Sequence, residues 1–350
     1  MQAEATILIT GGAGFIGSNY VRMAAKSHPG WTIRVLDALT YCGTLSNLEG
    51  LEGRIEFVCG DIADVGVVDE VVQGCDVIVN FAAESHVDRS LVDSRPFIHT
   101  NILGTQVLLD ACRRHGAKRF LHVSTDEVYG DLAGTTRCSL EGDVLRPRSP
   151  YAASKTAAEH LVQAAHVSFG LDTVITRGSN TYGPHQHPEK IIPLFITNAI
   201  DDTPLPIYGS GDAVRDYMHV DDHCAGIDLI LHEGAPGGVY NLGARLEVNG
   251  REVAVGVLHA LGKPESLMTF VEDRPGHDYR YAVDASAAEA LGWTRAWTFA
   301  DGLRQTVAWY VDHEPWWRAI RAGEHYQSHE AKWYGDRETA SPGSSGSGGD

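Results

Sequence analysis

The stretch Thr10-Gly-Gly-Ala-Gly-Phe-Ile-Gly17 decides the fold of this chain. It fits the pattern GxGxxG through Gly12, Gly14 and Gly17, and the wider pattern GxxGxxG when it is counted from Gly11. A β-branched run precedes it and a helical pattern follows it. Glycines at such a turn let the backbone approach a pyrophosphate, which then sits on the helix N-terminus. The stretch therefore predicts a dinucleotide-binding loop.

The residues around this loop alternate between short β-branched runs and helical stretches. Strands are predicted at residues 6–10, 33–36, 55–58, 77–81, 119–123 and 173–176, and helices at 15–27, 65–73, 97–115 and 151–168. This alternation implies right-handed βαβ crossovers and a parallel sheet covered on both faces. The predicted fold class is α/β, a doubly wound parallel sheet of the Rossmann type.

The chain is predicted to have two parts and a tail. Residues 1–180 are predicted to form a Rossmann domain that binds a dinucleotide. Proline and glycine become frequent in residues 181–335, which predicts a smaller mixed α/β lobe that partly returns to the sheet. Residues 336–350 are rich in Gly and Ser and are predicted to be a disordered tail.

Composition excludes several classes of function. The 350 residues include 28 Lys and Arg against 46 Asp and Glu, for a net charge of -18, which disfavours binding to nucleic acids or anionic membranes. The six cysteines have no CxxC spacing and are predicted to be reduced thiols. No apolar run approaches 18 residues, so we expect a soluble, cytoplasmic protein.

Acidic residues follow the next two predicted strands. Asp37 closes the second strand, twenty residues beyond Gly17. A carboxylate there accepts hydrogen bonds from both ribose hydroxyls and repels a 2'-phosphate, which favours NAD over NADP. Asp61 and Ile62 follow the third strand, where such folds hold the adenine.

Tyr151-Ala-Ala-Ser-Lys155 places a phenol and an ammonium one helical turn apart. The lysine, with a bound nicotinamide cation, is expected to lower the pKa of Tyr151 so that it takes a proton from an alcohol. Thr125 ends a strand 26 residues upstream, where its hydroxyl can face the same substrate oxygen. The acidic pair Asp126-Glu127 comes next, and both carboxylates can face one substrate only if the chain leaves the strand there.

Together these motifs resemble the extended short-chain dehydrogenase/reductase superfamily, and within it the sugar-nucleotide 4,6-dehydratases. The acidic pair in Ser124-Thr-Asp-Glu-Val-Tyr-Gly130 separates these dehydratases from the 4-epimerases, which lack it. The similar stretches, which follow the family order from about residue 5 to 315, also include residues 36–41, 81–90, 182–184, 188–190 and 273–278.

The resemblance implies an internal redox reaction that uses tightly bound NAD. Tyr151 takes the 4-hydroxyl proton of the sugar, Lys155 holds the phenolate and the nicotinamide ribose, and Thr125 donates to the forming carbonyl. Glu127 is the predicted base for carbon 5. Asp126, kept neutral, is the predicted acid for the 6-hydroxyl, because adjacent carboxyls disfavour double ionisation. The implied substrate is dTDP-glucose, with uridine diphosphate sugars left open.

The resemblance implies that residues 1–180 bind NAD and carry the catalytic residues, and that residues 181–335 mainly bind the nucleotide sugar. It also implies two sets of binding residues. Cofactor contacts are expected from Gly11, Gly14, Phe15, Ile16, Gly17, Asp37, Ala38, Leu39, Thr40, Asp61, Ile62, Ala82, Ala83, Ser85, Thr100, Tyr151 and Lys155. Substrate contacts are expected from Ser85, His86, Thr125, Asn180, Lys190, Ile191, Pro206, Ile207, Tyr208, Arg215, Asn249, Asp273 and His277. Homodimerisation is expected through the helices at 97–115 and 151–168.

The sequence departs from the family pattern at two positions. Thr181 replaces the second asparagine of the Asn-Asn pair that usually precedes Tyr-Gly-Pro, and Cys42 replaces an alanine common in the cofactor loop. His185 and His187 are predicted to be loop residues and no metal site is expected, because no carboxylate or cysteine has suitable spacing. The tryptophans and tyrosine at 309–310 and 316–317 are predicted to pack helices.

Two other functions remain as alternatives. A UDP-sugar 4-epimerase is disfavoured by the acidic pair. A regulatory protein that senses dinucleotides without catalysis is disfavoured because such proteins typically lose the Tyr or Lys of the active site, and this chain keeps both.

Overall fold

Strands and helices alternate through the first 180 residues, as the sequence predicts. The computed structural model describes residues 4–273 and 278–328. The strands in these residues are β1 (Ala5–Thr10), β2 (Trp31–Asp37), β3 (Ile55–Cys59), β4 (Val77–Asn80), β5 (Arg119–Thr125), β6 (Thr173–Gly178), β7 (Asn180–Tyr182), β8 (Leu205–Tyr208), β9 (Val214–His219), β10 (Val239–Leu242), β11 (Glu247–Asn249) and β12 (Met268–Val271). Seven of them form one parallel sheet in the order β10-β6-β5-β4-β1-β2-β3. The predicted doubly wound fold is confirmed.

The α-helices cover both faces of this sheet and build the second lobe. They are α1 (Phe15–Ser27), α2 (Val65–Val72), α3 (Val87–Val92), α4 (Arg95–Phe97), α5 (Thr105–His115), α6 (Pro150–Phe169), α7 (Ile191–Ile200), α8 (Val220–Glu233), α9 (Gly250–Leu261), α10 (Ser286–Ala290), α11 (Phe299–Asp312) and α12 (Glu314–Ala322). Among the described residues, no helix has the length and hydropathy needed to cross a membrane. All six cysteines are free thiols, as predicted.

The strands are apolar on both faces because helices cover both faces. Successive residues of a strand point to opposite sides, so β1 contributes Ile7 and Ile9 to one core and Leu8 to the other. The first core includes residues of α1 and α8, and the second includes residues of α2, α5 and α6. This packing fixes the carboxyl ends of the strands, where the cofactor and catalytic residues are predicted.

The second half of the chain contributes to both lobes. Helix α8 completes the first core, and β10 extends the large sheet beside β6. The remaining elements form a three-stranded sheet in the order β11-β9-β7, a parallel pair of β8 and β12, and a third core. Trp317 is fully buried in that core, and Trp316 contacts the rings of Trp309 and Tyr310. The predicted packing role of this aromatic cluster is confirmed.

The helix predicted at residues 97–115 is not uniform. A π-helical segment, Ile98–Gly104, lies between α4 and α5. Gly104 packs so closely on Ile62 that a Cβ at this glycine would lie 2.5 Å from the isoleucine side chain. Such wide turns are frequent at functional sites. This one carries Thr100, which lines the same cavity as the glycine loop.

Candidate active site

The glycine loop joins β1 to α1 by close contacts between backbone atoms. A Cβ at Gly17 would lie 2.2 Å from the carbonyl oxygen of Gly11. Gly11 itself has a φ of 69°, and a Cβ there would lie 2.6 Å from the amide nitrogen of Ala82. Gly14 caps α1 without a side-chain hydrogen bond, so the helix N-terminus carries no side-chain cap of its own. An anion cradle of this kind fits the pyrophosphate of a dinucleotide.

Replacement of Gly17 by alanine is expected to disrupt this loop, because the new methyl group would overlap the carbonyl of Gly11. We expect Gly17→Ala to lower the free energy of unfolding by about 1–3 kcal/mol and to abolish copurification of NAD. Gly142→Ala is the matched control, since a Cβ at Gly142 meets no atom within 4 Å. Thermal unfolding and the ultraviolet spectrum of the purified variants test this; normal NAD content in Gly17→Ala would contradict it.

Asp37 shapes the loop that follows β2 and also faces the cavity. Its two carboxylate oxygens accept hydrogen bonds from the backbone amides of Ala13, at 2.9 Å, and Leu39, at 2.8 Å. Burial raises the pKa of Asp37, and these backbone hydrogen bonds oppose that rise. Leu39 thus acts through its backbone amide and not its side chain: the amide orients the Asp37 carboxylate on the cavity wall, where the ribose hydroxyls are predicted to bind.

One cavity gathers the predicted cofactor residues with the exception of Leu39. Its wall contains the glycine loop, the ends of β2 and β4, Thr100, Tyr151 and Lys155. Residues that the sequence analysis did not assign to the cofactor also line it, and they are Leu36, Cys42, Gly43, Gly60, Phe81, Glu84, Val123, Ser124, Gln186, His187 and Lys190.

Helix α6 positions the tyrosine and the lysine. It begins sharply because the Ser149 hydroxyl accepts a hydrogen bond from the amide of Ala152 at 3.1 Å. Lys155 is buried, and its Nζ donates to the carbonyl of Val123 at 2.7 Å and lies 3.4 Å from Nε2 of His122. Burial lowers the pKa of Lys155 to about 8.

The expectation that Lys155 lowers the pKa of Tyr151 is wrong for the protein groups alone. Burial raises the pKa of Tyr151 well above its usual value, and the negative charges of Glu127 and Asp126 raise it further. The opposing contribution comes from a hydrogen bond with Thr125. The ammonium of Lys155 is directed to the carbonyl of Val123 instead.

The acidic pair lies on a short 3₁₀ turn. β5 ends at Thr125, the turn covers Asp126–Tyr129, and the Thr125 hydroxyl accepts from the amide of Glu127 at 3.3 Å. The prediction that the chain leaves the strand here is confirmed. Glu127 lines a second cavity, whereas Asp126 is 2% exposed and lies behind that wall, with its Oδ1 3.4 Å from the Thr125 hydroxyl. Burial and the charges of Glu127 and Asp216 raise the pKa of Asp126.

Lys190 lines both the first cavity and the second. The predicted substrate residues on the wall of the second cavity are His86, Asn180, Lys190, Ile191, Pro206, Ile207, Tyr208 and Arg215. Oδ1 of Asn180 is buried and has no hydrogen-bond partner among the residues that the structure describes. Arg215 is held by the backbone carbonyls of Val214 and Asp278, each at 2.8 Å.

Several predicted substrate residues lie elsewhere. Ser85 lines the dinucleotide cavity, and its carbonyl accepts from Nζ of Lys190 at 3.3 Å. The side chain of Asn249 caps α9 in a reciprocal pair with Glu252, so its oxygen is already used. Thr125, Asn249 and Asp273 are not on the wall of the second cavity. His277 lies outside the described residues.

Comparisons with known proteins identify the family. The sequence profile of the GDP-mannose 4,6 dehydratase family matches residues 8–306. The dTDP-glucose 4,6-dehydratase of Streptomyces antibioticus is 47% identical over 321 residues, which cover 90% of this chain and 95% of that protein. The chain belongs to the dTDP-glucose 4,6-dehydratase family.

Solved structures agree with this membership. DesIV, a dTDP-glucose 4,6-dehydratase from Streptomyces venezuelae crystallised with NAD, is 46% identical and has a TM-score of 0.87, with 90% of this chain and 99% of that chain covered. The UDP-glucose 4-epimerase of Thermus thermophilus is 31% identical, with a TM-score of 0.81 over 88% of this chain and 99% of that chain. The fold is thus common to both enzymes, and the sequence is more similar to the dehydratase.

Asn101 is a buried residue of this dehydratase family member that the sequence analysis missed. Its side chain accepts from the amide of Glu84 at 2.9 Å and donates to the hydroxyl of Ser154 at 2.8 Å. Ser154 in turn donates to the carbonyl of Tyr151 at 2.7 Å. This series of hydrogen bonds ties the loop after β4 to α6. No local sequence pattern predicts these contacts, because the spacing of apolar residues does not reveal the π-helical segment that orients Asn101.

The two departures from the family pattern have different surroundings. The hydroxyl of Thr181 lies 2.8 Å from Nδ1 of His223 and donates to the carbonyl of Ser179 at 3.1 Å, so it is engaged with protein groups. Cys42 lines the dinucleotide cavity and lies near His187 and Glu189. A cysteine and a carboxylate therefore both come close to His187 in the folded chain, which the spacing in the sequence does not indicate.

Proposed function

We propose that this chain is an NAD-dependent dTDP-glucose 4,6-dehydratase, a hydro-lyase of deoxysugar biosynthesis. It oxidises the glucosyl unit at carbon 4, eliminates water across carbons 5 and 6, and returns the hydride to carbon 6. The product is dTDP-4-keto-6-deoxyglucose. The observation that carries the proposal is the placement of Glu127 on the second cavity, two residues after Thr125 and near enough to Tyr151 for its charge to raise the pKa of that phenol.

NAD fits the first cavity. The glycine loop suits its pyrophosphate, Asp37 suits its ribose hydroxyls, and Asp61 with Ile62 suits its adenine. When bound, NAD accepts the hydride from carbon 4 and later donates it to carbon 6. Because this cycle consumes no cofactor, we expect NAD to be held tightly and to copurify.

The first proton transfer belongs to Tyr151. Its phenol lies at the end of β5 with Thr125, which contributes a hydrogen bond to it. With NAD+ bound, the positive charges of the nicotinamide and of Lys155 would offset the rise in the pKa of Tyr151, so that Tyr151 takes the proton of the 4-hydroxyl while Thr125 donates to the carbonyl oxygen that forms. Lys155 is a buried cation one turn along α6, and it would hold the nicotinamide ribose in that complex.

The elimination belongs to the acidic pair. A ketone at carbon 4 acidifies the proton on carbon 5, and Glu127 removes it. The 6-hydroxyl leaves as water once it receives a proton from Asp126, whose raised pKa keeps it neutral. Two adjacent carboxyls thus divide the roles of base and acid through their different surroundings.

Replacement of Asp126 by asparagine is expected to separate stability from activity. The pKa of Asp126 is raised on folding, so the folded chain holds its proton to higher pH than the unfolded chain does. The resulting loss of folding stability is absent below the pKa of Asp126 in the unfolded chain, near 4. It grows as the pH rises toward the pKa in the folded chain. The unfolding temperature of Asp126→Asn should therefore exceed that of wild type by more at pH 8 than at pH 4.5. The same substitution should lower kcat by roughly 10²-fold.

Thermal unfolding at the two pH values measures this gain. Asp312→Asn, at an exposed carboxylate, is the matched control and should show the same difference from wild type at both. A gain in Asp126→Asn that does not grow with pH would contradict a neutral, buried Asp126.

The nucleotide is proposed to occupy the second cavity. Arg215 and Lys190 supply positive charge for the diphosphate, and Tyr208 with Pro206 and Ile207 lines the base pocket. The proposed substrate is tested by kcat/KM for dTDP-glucose against UDP-glucose, with product mass as the readout. Loss of one water from dTDP-glucose with the higher kcat/KM supports the thymidine nucleotide. The opposite ratio would make the chain a dehydratase of UDP-sugars, and a product of unchanged mass would make it an epimerase.

The chain is also proposed to act in the cytoplasm as a homodimer, with its main division near residue 180. Large apolar side chains are exposed on the helices predicted to dimerise, and they are Ile98, Leu103, Val167 and Phe169. Paired helices would bury these side chains in a four-helix bundle. Sedimentation should give twice the chain mass of 37.9 kDa, and a monomer mass would contradict the proposal.

A further inference from the structure

Three side chains of types that can bind metals meet beside the first cavity, which two of them line, and they lie outside the predicted catalytic set. They are Cys42, His187 and Glu189, and their ligand atoms all lie within 4.8 Å of one another. Oε1 of Glu189 lies 3.8 Å from Sγ of Cys42 and 3.7 Å from Nδ1 of His187. Cys42 belongs to the loop after β2, whereas the other two precede α7, so the cluster joins distant parts of the chain.

His187 has no hydrogen-bond partner for the nitrogen that faces this cluster. The residue is 7% exposed, and its Nδ1 is buried without a partner among the described residues. A buried imidazole nitrogen without a partner is costly unless a ligand completes it.

Glu189 is oriented by a residue behind the cluster. Arg89 donates to Oε2 of Glu189 from Nε at 3.2 Å and from the terminal nitrogen at 3.1 Å. Oε1 is left facing the thiol and the imidazole, and it also lies 3.9 Å from Nε2 of His86. A charged partner that fixes the outer oxygen of a carboxylate is a common support for metal ligands.

We propose that Cys42, His187 and Glu189 bind one divalent metal ion of the zinc type. Thiolate sulfur, imidazole nitrogen and carboxylate oxygen form a ligand set that zinc accepts, with a fourth position left open to the cavity. Binding forms a metal–sulfur bond and releases the thiol proton to solvent, without any change of oxidation state. The two anionic ligands balance the charge of the ion beside Arg89 and Lys190. The ion ties the cofactor loop to the segment that carries Lys190.

The metal alone tests this site, and the result does not depend on the proposed reaction. The chain is freed of metal with a chelator, and Zn²⁺ is titrated in competition with a chromophoric chelator. We expect one equivalent per chain. Co²⁺ in place of Zn²⁺ should give the near-ultraviolet charge-transfer band of a cobalt–thiolate bond.

Variants assign the ligands. Cys42→Ala should lose the cobalt–thiolate band and bind Zn²⁺ at least about tenfold more weakly. His187→Gln should weaken binding similarly but keep the band, since the thiolate remains. Cys59→Ser removes an exposed thiol at the end of β3 and should change neither property.

The proposal is overturned if the chain binds less than one equivalent of Zn²⁺ or if Cys42→Ala binds Zn²⁺ with wild-type affinity. It is also overturned if the cobalt–thiolate band is lost in Cys59→Ser and not in Cys42→Ala. Alanine is common at position 42 in the family, so Cys42→Ala is expected to fold, and its unfolding temperature without metal checks this. If that variant does not fold, retention of wild-type affinity by folded His187→Gln still overturns the proposal.

Discussion

Glu127→Gln is expected to lower kcat for dehydration by roughly 10³-fold, within the 10²–10⁴ range of general base catalysis. The amide has the same shape as the carboxylate but cannot take the proton from carbon 5. Oxidation at carbon 4 should survive, because Tyr151, Thr125 and Lys155 are unchanged. Substrate should therefore still reduce the bound dinucleotide, which near-ultraviolet absorbance reports, while mass spectrometry finds almost no loss of water.

The control for this variant is Glu70→Gln, which changes an exposed carboxylate on α2 and should leave kcat unchanged. Wild-type dehydration by Glu127→Gln would remove Glu127 from the role of base. Failure of Glu127→Gln to reduce the dinucleotide would place its defect before elimination and contradict the same assignment.

Tyr151→Phe is expected to lower kcat by a similar factor, roughly 10³-fold, but at the earlier step. Without the phenol oxygen, no group on α6 takes the proton of the 4-hydroxyl. Substrate should then be recovered unchanged and the dinucleotide should stay oxidised. The two variants thus stop the reaction on opposite sides of the ketone, which absorbance and product mass distinguish together.

Tyr279→Phe is the matched control, because its ring is half exposed and Tyr279 lines neither cavity. It should dehydrate at the wild-type rate. Reduction of the dinucleotide at the wild-type rate by Tyr151→Phe would show that another group takes the proton.

The sheet could be predicted because its signals are local. β-branched runs, helical periodicity and the glycine loop each lie within about twenty residues, and α1 begins and ends where the pattern placed it. The π-helical segment could not be predicted, since it arises from the packing of Gly104 on Ile62. The position of β10 beside β6 likewise depends on tertiary pairing and not on its own four residues.

The active site shows the same division. Gly17, Asp37, Tyr151 and Lys155 stand at fixed spacings that the chemistry requires, and the structure brings them to one cavity. Sequence motifs do not report burial, which is why the rise that burial causes in the pKa of Tyr151 could not be predicted.

Contacts between residues that are far apart in the sequence could not be predicted either. The approach of Cys42 to His187 joins residues that are far apart in the sequence and belong to two different loops. No spacing rule connects such residues, because the folding of both loops decides their distance. Asn101 was missed for a related reason, since its partners Glu84 and Ser154 lie on other elements.

The most direct test of the central claim is the fate of a deuterium placed on carbon 4 of dTDP-glucose. The purified chain is given this substrate without added cofactor, and the product is examined by mass spectrometry and NMR. An internal redox cycle predicts loss of one H₂O with the deuterium retained on carbon 6. A product of unchanged mass, or one that has lost water and also lost the deuterium to solvent, would contradict it.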